Sequence, residues 1–341
     1  MTLNVLILGA NGFVGRKIVA RLAATDWATP IAATRRPVSV AGARNVTFDA
    51  ADASALRAAV READAVVNCV AASAEVMVAS ARALREAVLG VVEAPNVPNA
   101  PQGSVAPAAS GASAAHGVPV SARQVPRVVH FSSMAVYGSA LGKVDESHPL
   151  LGDVGPYSSA KVEAEKLLAD LPGAVMLRPG CIYGPGSTQW SIRIADLLRA
   201  RRIGDLGPAG DGCSNLIYID DVVDAVVAAL RKPEAGGRAY NLAMRDAPRW
   251  NEYFVRYGRA LGAVPVKRIT PRRLAIERRA AIPLKVLEKI GGKLGLRHTP
   301  AVLSPSMLAL WQQDIALVPD AAETLLGLRW TPLEAGLRAT S

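Results

Sequence analysis

Short apolar runs alternate with stretches of helical period through the first half of the chain. Residues 5–8, 31–34, 46–48, 65–69, 128–131 and 175–177 are short, mainly apolar runs of strand length. Strands covered on both faces read this way, so these six are predicted as buried strands. Residues 16–24, 54–62, 75–92 and 157–169 place apolar side chains at the three-to-four spacing of a helix. Strand and helix in alternation predict parallel strands joined by crossover helices, a doubly wound (Rossmann) α/β sheet. Ligands of such sheets collect at the carboxyl ends of the strands. The residues just after each apolar run are therefore the ones to read for chemistry.

Residues 94–124 break this rhythm. Ala, Pro, Gly and Ser dominate, Arg123 is the one side chain that always carries charge, and Pro95, Pro98, Pro101, Pro107 and Pro119 forbid a continuous helix. The segment reads as a flexible insertion between a helix and the next strand, at the amino ends of the strands and away from the expected site. From about residue 184 the chain mixes helices with short strands, and 220–230 reads as a helix with a carboxylate cap. This predicts a sheet domain over 1–180 and a smaller mixed α/β lobe over 181–341, with some chain crossing back to the sheet.

The 341 residues are half apolar, with mean hydropathy +0.21, which suits a globular protein and excludes general disorder. Charges interrupt every apolar run well before the roughly 18 residues of a membrane span. Met1 leads into a strand-length run with neither a cationic start nor a cleavage site, so no signal peptide is expected. Cys69, Cys181 and Cys213 lack paired or metal-ligand spacing, which predicts reduced thiols, no metal site and a cytoplasmic protein. The net charge of +10 is uneven: between Lys267 and Arg297, ten Lys/Arg stand against Glu277 and Glu288. A solvated helical face is the plainest reading. An anionic substrate is the second and a membrane surface the third, while nucleic acid is disfavoured because interleaved aromatics are missing.

Two local patterns carry chemistry. Gly9-Ala-Asn-Gly12-Phe-Val-Gly15 follows a strand and opens a helix. Glycines there permit a tight turn, close approach of backbone to a pyrophosphate and close helix–strand packing, and the helix N-terminus attracts the phosphates. At the end of the second strand, where NAD sites place an acid, the chain has Arg35 and Arg36. Two guanidiniums suit a 2′-phosphate, so NADP(H) is expected over NAD(H). Further on, Tyr157 and Lys161 stand four apart, on one face of a helix. A nearby cation favours phenolate, which predicts a phenol pKa below the usual value of about 10 and a general acid/base.

Five motifs in this order resemble the extended short-chain dehydrogenase/reductase family, also called the NAD-dependent epimerase/dehydratase family. They are the glycine motif, Phe131-Ser-Ser-Met-Ala-Val-Tyr-Gly138, Tyr157-x-x-x-Lys161, Leu177-Arg-Pro-Gly-Cys-Ile-Tyr-Gly-Pro-Gly186, and the pair Leu216-Ile-Tyr-Ile-Asp-Asp221 and Tyr240-Asn-Leu242. The resemblance implies that Ser133 bonds the substrate oxygen, with Ser132 a structural neighbour. It implies that Tyr157 exchanges a proton with that oxygen and that Lys161 holds the nicotinamide ribose. Asn11, Phe13 and Val14 belong to the phosphate turn. Asp49 and Ala50 match positions bordering adenine, Val70 and Ala71 match the pyrophosphate path, and Pro179 and Ile182 fall in the next cofactor signature.

Departures narrow the reaction. Dehydratases of the family follow the catalytic Ser/Thr with Asp-Glu, where this chain has Met134 and Ala135, so dehydration is not expected. An arginine that many nucleotide-sugar epimerases carry before the Tyr-Ile-Asp-like segment is replaced by Cys213-Ser-Asn-Leu216. The resemblance thus implies an NAD(P)(H)-dependent oxidoreductase acting on the carbonyl or secondary alcohol of a small molecule. An epimerase with tightly bound nicotinamide is the alternative, and a non-catalytic cofactor-binding regulator a third reading. It also implies a homodimer packed through 75–92 and 157–169.

Overall fold

The computed structural model describes residues 2–93, 125–277, 279 and 303–341. Its main sheet contains β1 (Leu3–Leu8), β2 (Ala28–Thr34), β3 (Arg44–Thr47), β4 (Ala65–Asn68), β5 (Arg127–Phe131), β7 (Val175–Pro179) and β10 (Arg238–Leu242). The order is β10-β7-β5-β4-β1-β2-β3, and every pairing is parallel. All six strands expected from the apolar runs are present, and β10 adds a seventh at the edge. Registry aligns the carboxyl ends, with Leu8 opposite Ala33 and Asn68, Asn68 opposite His130, and Phe131 opposite Leu177. One edge of the sheet thereby collects the residues that follow each strand.

Helices cover both faces, which is why the central strands are mostly apolar. Alternate residues of β1 face opposite ways: Val5 and Ile7 join the cluster under α1 (Phe13–Ala23) and α6 (Ile219–Arg231). Leu6 and Leu8 join the cluster under α2 (Ala53–Arg61), α3 (Ala74–Glu93) and α4 (Pro156–Ala169). All four are fully buried, each contributing about 1.5–3 kcal/mol. Among the described residues no helix is long and apolar enough to cross a membrane.

The later chain builds a third apolar cluster from β8 (Cys181–Tyr183), α5 (Arg193–Arg199), β9 (Leu216–Tyr218), α7 (Trp250–Ala260), α8 (Pro305–Gln312) and α10 (Leu333–Thr340). β8 pairs with β9, and β6 (Gly142–Val144) pairs with β11 (Ile315–Leu317), which precedes the short α9 (Asp320–Thr324). The carboxylate cap expected for α6 is not formed. Tyr218 is the N-cap residue without a side-chain bond, and Asp221 turns inward to accept from the Thr331 backbone N–H (2.9 Å) and hydroxyl (2.6 Å). The predicted 94–124 insertion lies outside the described residues apart from its flanks, the end of α3 and the approach to β5. Most of the basic 267–297 segment does likewise. Of its described part, Arg268 pairs with Asp205 at 3.4 Å, and Glu277 pairs with Arg202.

Candidate active site

β1 delivers the chain to Gly9, whose φ of +76° suits glycine, and a Cβ there would lie 3.0 Å from the Cys69 carbonyl oxygen. A Cβ on Gly15 would lie 2.8 Å from Ala10 Cα, so α1 can approach β1 this closely only with glycine. Gly12 caps α1 with extended backbone and no side-chain bond, leaving first-turn amides available to an anion. The Asn11 carbonyl accepts from Arg16 Nε at 2.9 Å, and half-buried Phe13 and Val14 pack against the later chain's apolar cluster.

The other cofactor candidates follow along the same edge. Arg35 and Arg36 emerge exposed after β2, where the Thr34 hydroxyl donates to the Arg36 carbonyl (2.8 Å) and fixes the turn. Among the described residues neither guanidinium has a hydrogen-bond or ion-pair partner. Asp49 spends one carboxylate oxygen on the Ala51 amide (3.0 Å), and Ala50 beside it is half-buried. Asn68 accepts from the Val70 amide at 3.1 Å, and Ala71 is exposed. Pro179 closes β7, and half-buried Ile182 lies in β8. A cradle that side chains would fill, an uncapped helix start and two unpaired guanidiniums fit a dinucleotide carrying phosphates.

The candidate catalytic groups stand where β5 ends. Ser133 is extended, and its Oγ accepts from the Ala135 amide at 3.2 Å to cap the 3₁₀ turn Met134–Tyr137. The Ser158 hydroxyl donates to the Ala135 carbonyl, tying the first turn of α4 to that cap. This brings Tyr157 near Ser133, whose hydroxyl favours the phenolate form. Lys161 is 3% exposed, and its Nζ donates to the Phe131 carbonyl (2.6 Å) while lying 5.9 Å from the Tyr157 ring centroid. Burial lowers the Lys161 pKa to about 8, against the pull of Cys69 and Glu165.

One expectation is corrected here. The spacing predicts a phenol shifted downward, but partial burial pushes Tyr157 above its usual value, and the nearby Ser133 hydroxyl only partly offsets this. The ammonium lies over the ring and is held by a backbone carbonyl, so burial outweighs its field. Tyr157, 48% exposed, is a protonated phenol at neutral pH.

Beneath these groups runs a buried polar network that the sequence reading did not assign. Arg178 forks onto Glu165 with both side chains at least nine-tenths buried, and the Ser132 hydroxyl donates to the same carboxylate. Arg178 also donates to the Tyr137 hydroxyl (2.8 Å), which donates to Asn241 Oδ1 (2.6 Å). The Asn241 amide nitrogen reaches the Val144 carbonyl at 3.0 Å. One network thus fixes α4, β7, β10, β6 and the Ser132–Ser133 strand end. The signal for it was available: Glu165 repeats the four-residue spacing after Lys161, and Arg178 interrupts an apolar strand. His130, another polar interruption, is 3% exposed with neither ring nitrogen bonded among the described residues, and burial keeps it neutral.

Residues 5–243 match the NAD dependent epimerase/dehydratase family. The chain belongs to this family. It is similar to the 3-diazoavenalumate denitrifying reductase of a Streptomyces species, with 31% identity over 80% of this chain and 86% of that protein. Its similarity to Protein YeeZ of Escherichia coli K12 is 31% over 42% of this chain and 49% of that protein, so it spans about half the length of that relative. Human epimerase family protein SDR39U1, solved with NADPH, shares the fold at TM-score 0.69 and 18% identity, with 99% of each chain covered.

Within this family the chain's departures have structural counterparts. Met134 is buried and Ala135 half-buried, and neither carries a proton-transfer group beside Ser133. In the 213–216 stretch the Cys213 thiol donates to Asp314 (3.6 Å), and Asn215 turns inward to the Ile315 carbonyl and Leu317 amide (2.7 and 2.9 Å). Arg249, close by, is offset by Asp314 at 3.6 Å.

Proposed function

We propose that this family member is an NADP(H)-dependent oxidoreductase that interconverts a carbonyl and a secondary alcohol. The observation that carries the reading is the convergence of Ser133, Tyr157 and Lys161 beside the glycine cradle at one edge of the sheet. A bound nicotinamide supplies the hydride. Ser133 hydrogen-bonds the substrate oxygen and orients it towards Tyr157. The phenol, kept protonated by its surroundings, gives that oxygen its proton during reduction and takes one back during oxidation. Lys161 holds the cofactor ribose, and its charge steadies the phenolate left after proton transfer. Gly9, Gly12 and Gly15 admit the pyrophosphate, and Arg35 and Arg36 meet the 2′-phosphate. The similarity to a reductase over most of the chain supports this direction of chemistry.

Mixing the purified protein with NADPH and a panel of ketones tests the reading through loss of nicotinamide absorbance. Turnover that disappears in Tyr157→Phe is the expected result. Copurifying cofactor, with no absorbance change for any ketone, would instead favour an epimerase that returns the hydride to the opposite face. A homodimer through α3 and α4 accompanies the proposal, and sedimentation velocity of the purified protein tests it.

A further inference from the structure

The site leaves one stretch of surface without a use. Leu141, Leu151, Val154 and Tyr157 are 72%, 47%, 55% and 48% exposed, and all lie between the 3₁₀ turn after Ser133 and the first turn of α4. Hydrogen bonds hold this stretch as one wall. The Gly152 amide donates to the Val136 carbonyl (3.1 Å), the Ser139 amide to Asp153 (2.8 Å), and the Ser159 hydroxyl to the Gly152 carbonyl (2.8 Å). Leu151 Cβ would stand only 3.0 Å from a Cβ on Gly138, so the two limbs of the wall are in contact. Single exposed apolar side chains are ordinary, whereas Leu151, Val154 and Tyr157 on one braced stretch, with Leu141 close by in sequence, mark a binding surface next to the proposed proton donor.

Charge excludes one class of ligand there. Residues 138–157 carry Asp145, Glu146 and Asp153 against the single cation Lys143, so the wall repels a diphosphate. The 213–215 stretch offers a thiol bonded to Asp314, and the guanidinium of Arg249 is already offset by that same carboxylate. We infer that the wall seats the apolar part of an uncharged carbonyl substrate, an alkyl or aryl group next to the reacting carbon, and that nucleoside diphosphate sugars are not its substrates. This inference rests on the oxidoreductase reading above.

The test uses the full chain, NADPH and benzylacetone as the apolar ketone, with UDP-glucose as competitor. Leu151→Asp and Val154→Asp place a carboxylate on the wall at exposed positions, and their melting temperatures and NADPH affinities verify that fold and cofactor site are kept. Each variant is expected to raise KM for benzylacetone by roughly tenfold, with most of the loss in KM rather than kcat. UDP-glucose at millimolar concentration should not compete. Unchanged KM in both variants, or competition by UDP-glucose at micromolar concentration, overturns the inference. So does a benzylacetone that neither reacts nor inhibits. In that last case the oxidoreductase reading still stands if NADPH binds and Tyr157→Phe abolishes turnover of some polar carbonyl. A Val154→Asp protein that loses self-association while KM is unchanged assigns the wall to a second copy and likewise overturns the proposal.

Discussion

Lys161 holds its place beside the candidate site at the expense of the fold. Its pKa of about 8, set chiefly by burial, means that the native state resists the charge that the unfolded chain carries up to about 10.5. The sign follows from proton binding. A base with a lowered folded pKa penalises the native state fully below about 8, and the penalty fades as pH rises towards the unfolded value. Lys161→Met is therefore expected to stabilise the protein by about 2 kcal/mol at pH 7 while removing activity, with the gain vanishing above about pH 10.5. Urea titrations at pH 7 and pH 10.5 read both arms, and a loss of stability at pH 7 would refute the account. For Tyr157→Phe, kcat should fall by roughly 10²- to 10⁴-fold with NADPH affinity kept, as stopped-flow fluorescence and steady-state rates would show. Arg35→Ser with Arg36→Ser should weaken NADPH by roughly ten- to a hundredfold and leave NADH nearly unchanged, measured as the ratio of the two dissociation constants. The Tyr157–Lys161 pairing was legible because four residues make one helical turn. The direction of the phenol's shift was not, because it is set chiefly by burial, which depends on how other elements pack around Tyr157.

At the scale of elements, the Arg178–Glu165 pair joins β7 to α4 and supports the strand end that presents Ser133. Both side chains are buried, so truncating one partner strands the other charge in the interior. Arg178→Met is expected to destabilise the protein by about 3–5 kcal/mol, and adding Glu165→Gln should recover part of that loss because the uncompensated carboxylate is gone. Chemical denaturation of the single and double variants measures the recovery, and a double variant no better than Arg178→Met would remove electrostatics as the cause. The six strands and four helices of the first half could be read from sequence because burial on both faces stamps a mainly apolar run on the central strands, and the edge strand β3, largely exposed, still follows in the same alternation of strand and helix. The pairs β6–β11 and β8–β9 could not. Each strand is three residues long, and the β6–β11 register of Gly142 with Ile315 depends on chain that returns from far along the sequence. The carboxylate cap of α6 fails for a related reason: the helix begins at Ile219, so Asp220 and Asp221 fall inside its first turn, and Asp221 turns to Thr331 from the far end of the chain.

For the whole molecule, the question is whether residue 180 divides two units that can exist apart. The motifs change character there, but the apolar contacts do not stop. Val222, Val223, Val226, Ala229 and Leu230 of α6 are buried in the same cluster as Val5, Ile7 and Ile18 of β1 and α1. β10 closes the sheet edge on β7, with Tyr240 opposite Leu177 and fully buried. Chain beyond 180 therefore supplies cover for one face of the sheet and pairing for its outer strand. A fragment of residues 1–180 would expose that face and leave β7 as an unpaired apolar edge. We expect the fragment alone to melt without a cooperative transition, to bind a hydrophobic dye and to bind NADPH far more weakly than the full chain, although it contains the whole glycine cradle and Ser133, Tyr157 and Lys161. Mixing it with the 181–341 fragment should restore a cooperative melt. Cooperative unfolding of the 1–180 fragment by itself, with NADPH affinity kept, would show instead that the sheet stands without α6 and β10 and that the division near residue 180 is a true domain boundary.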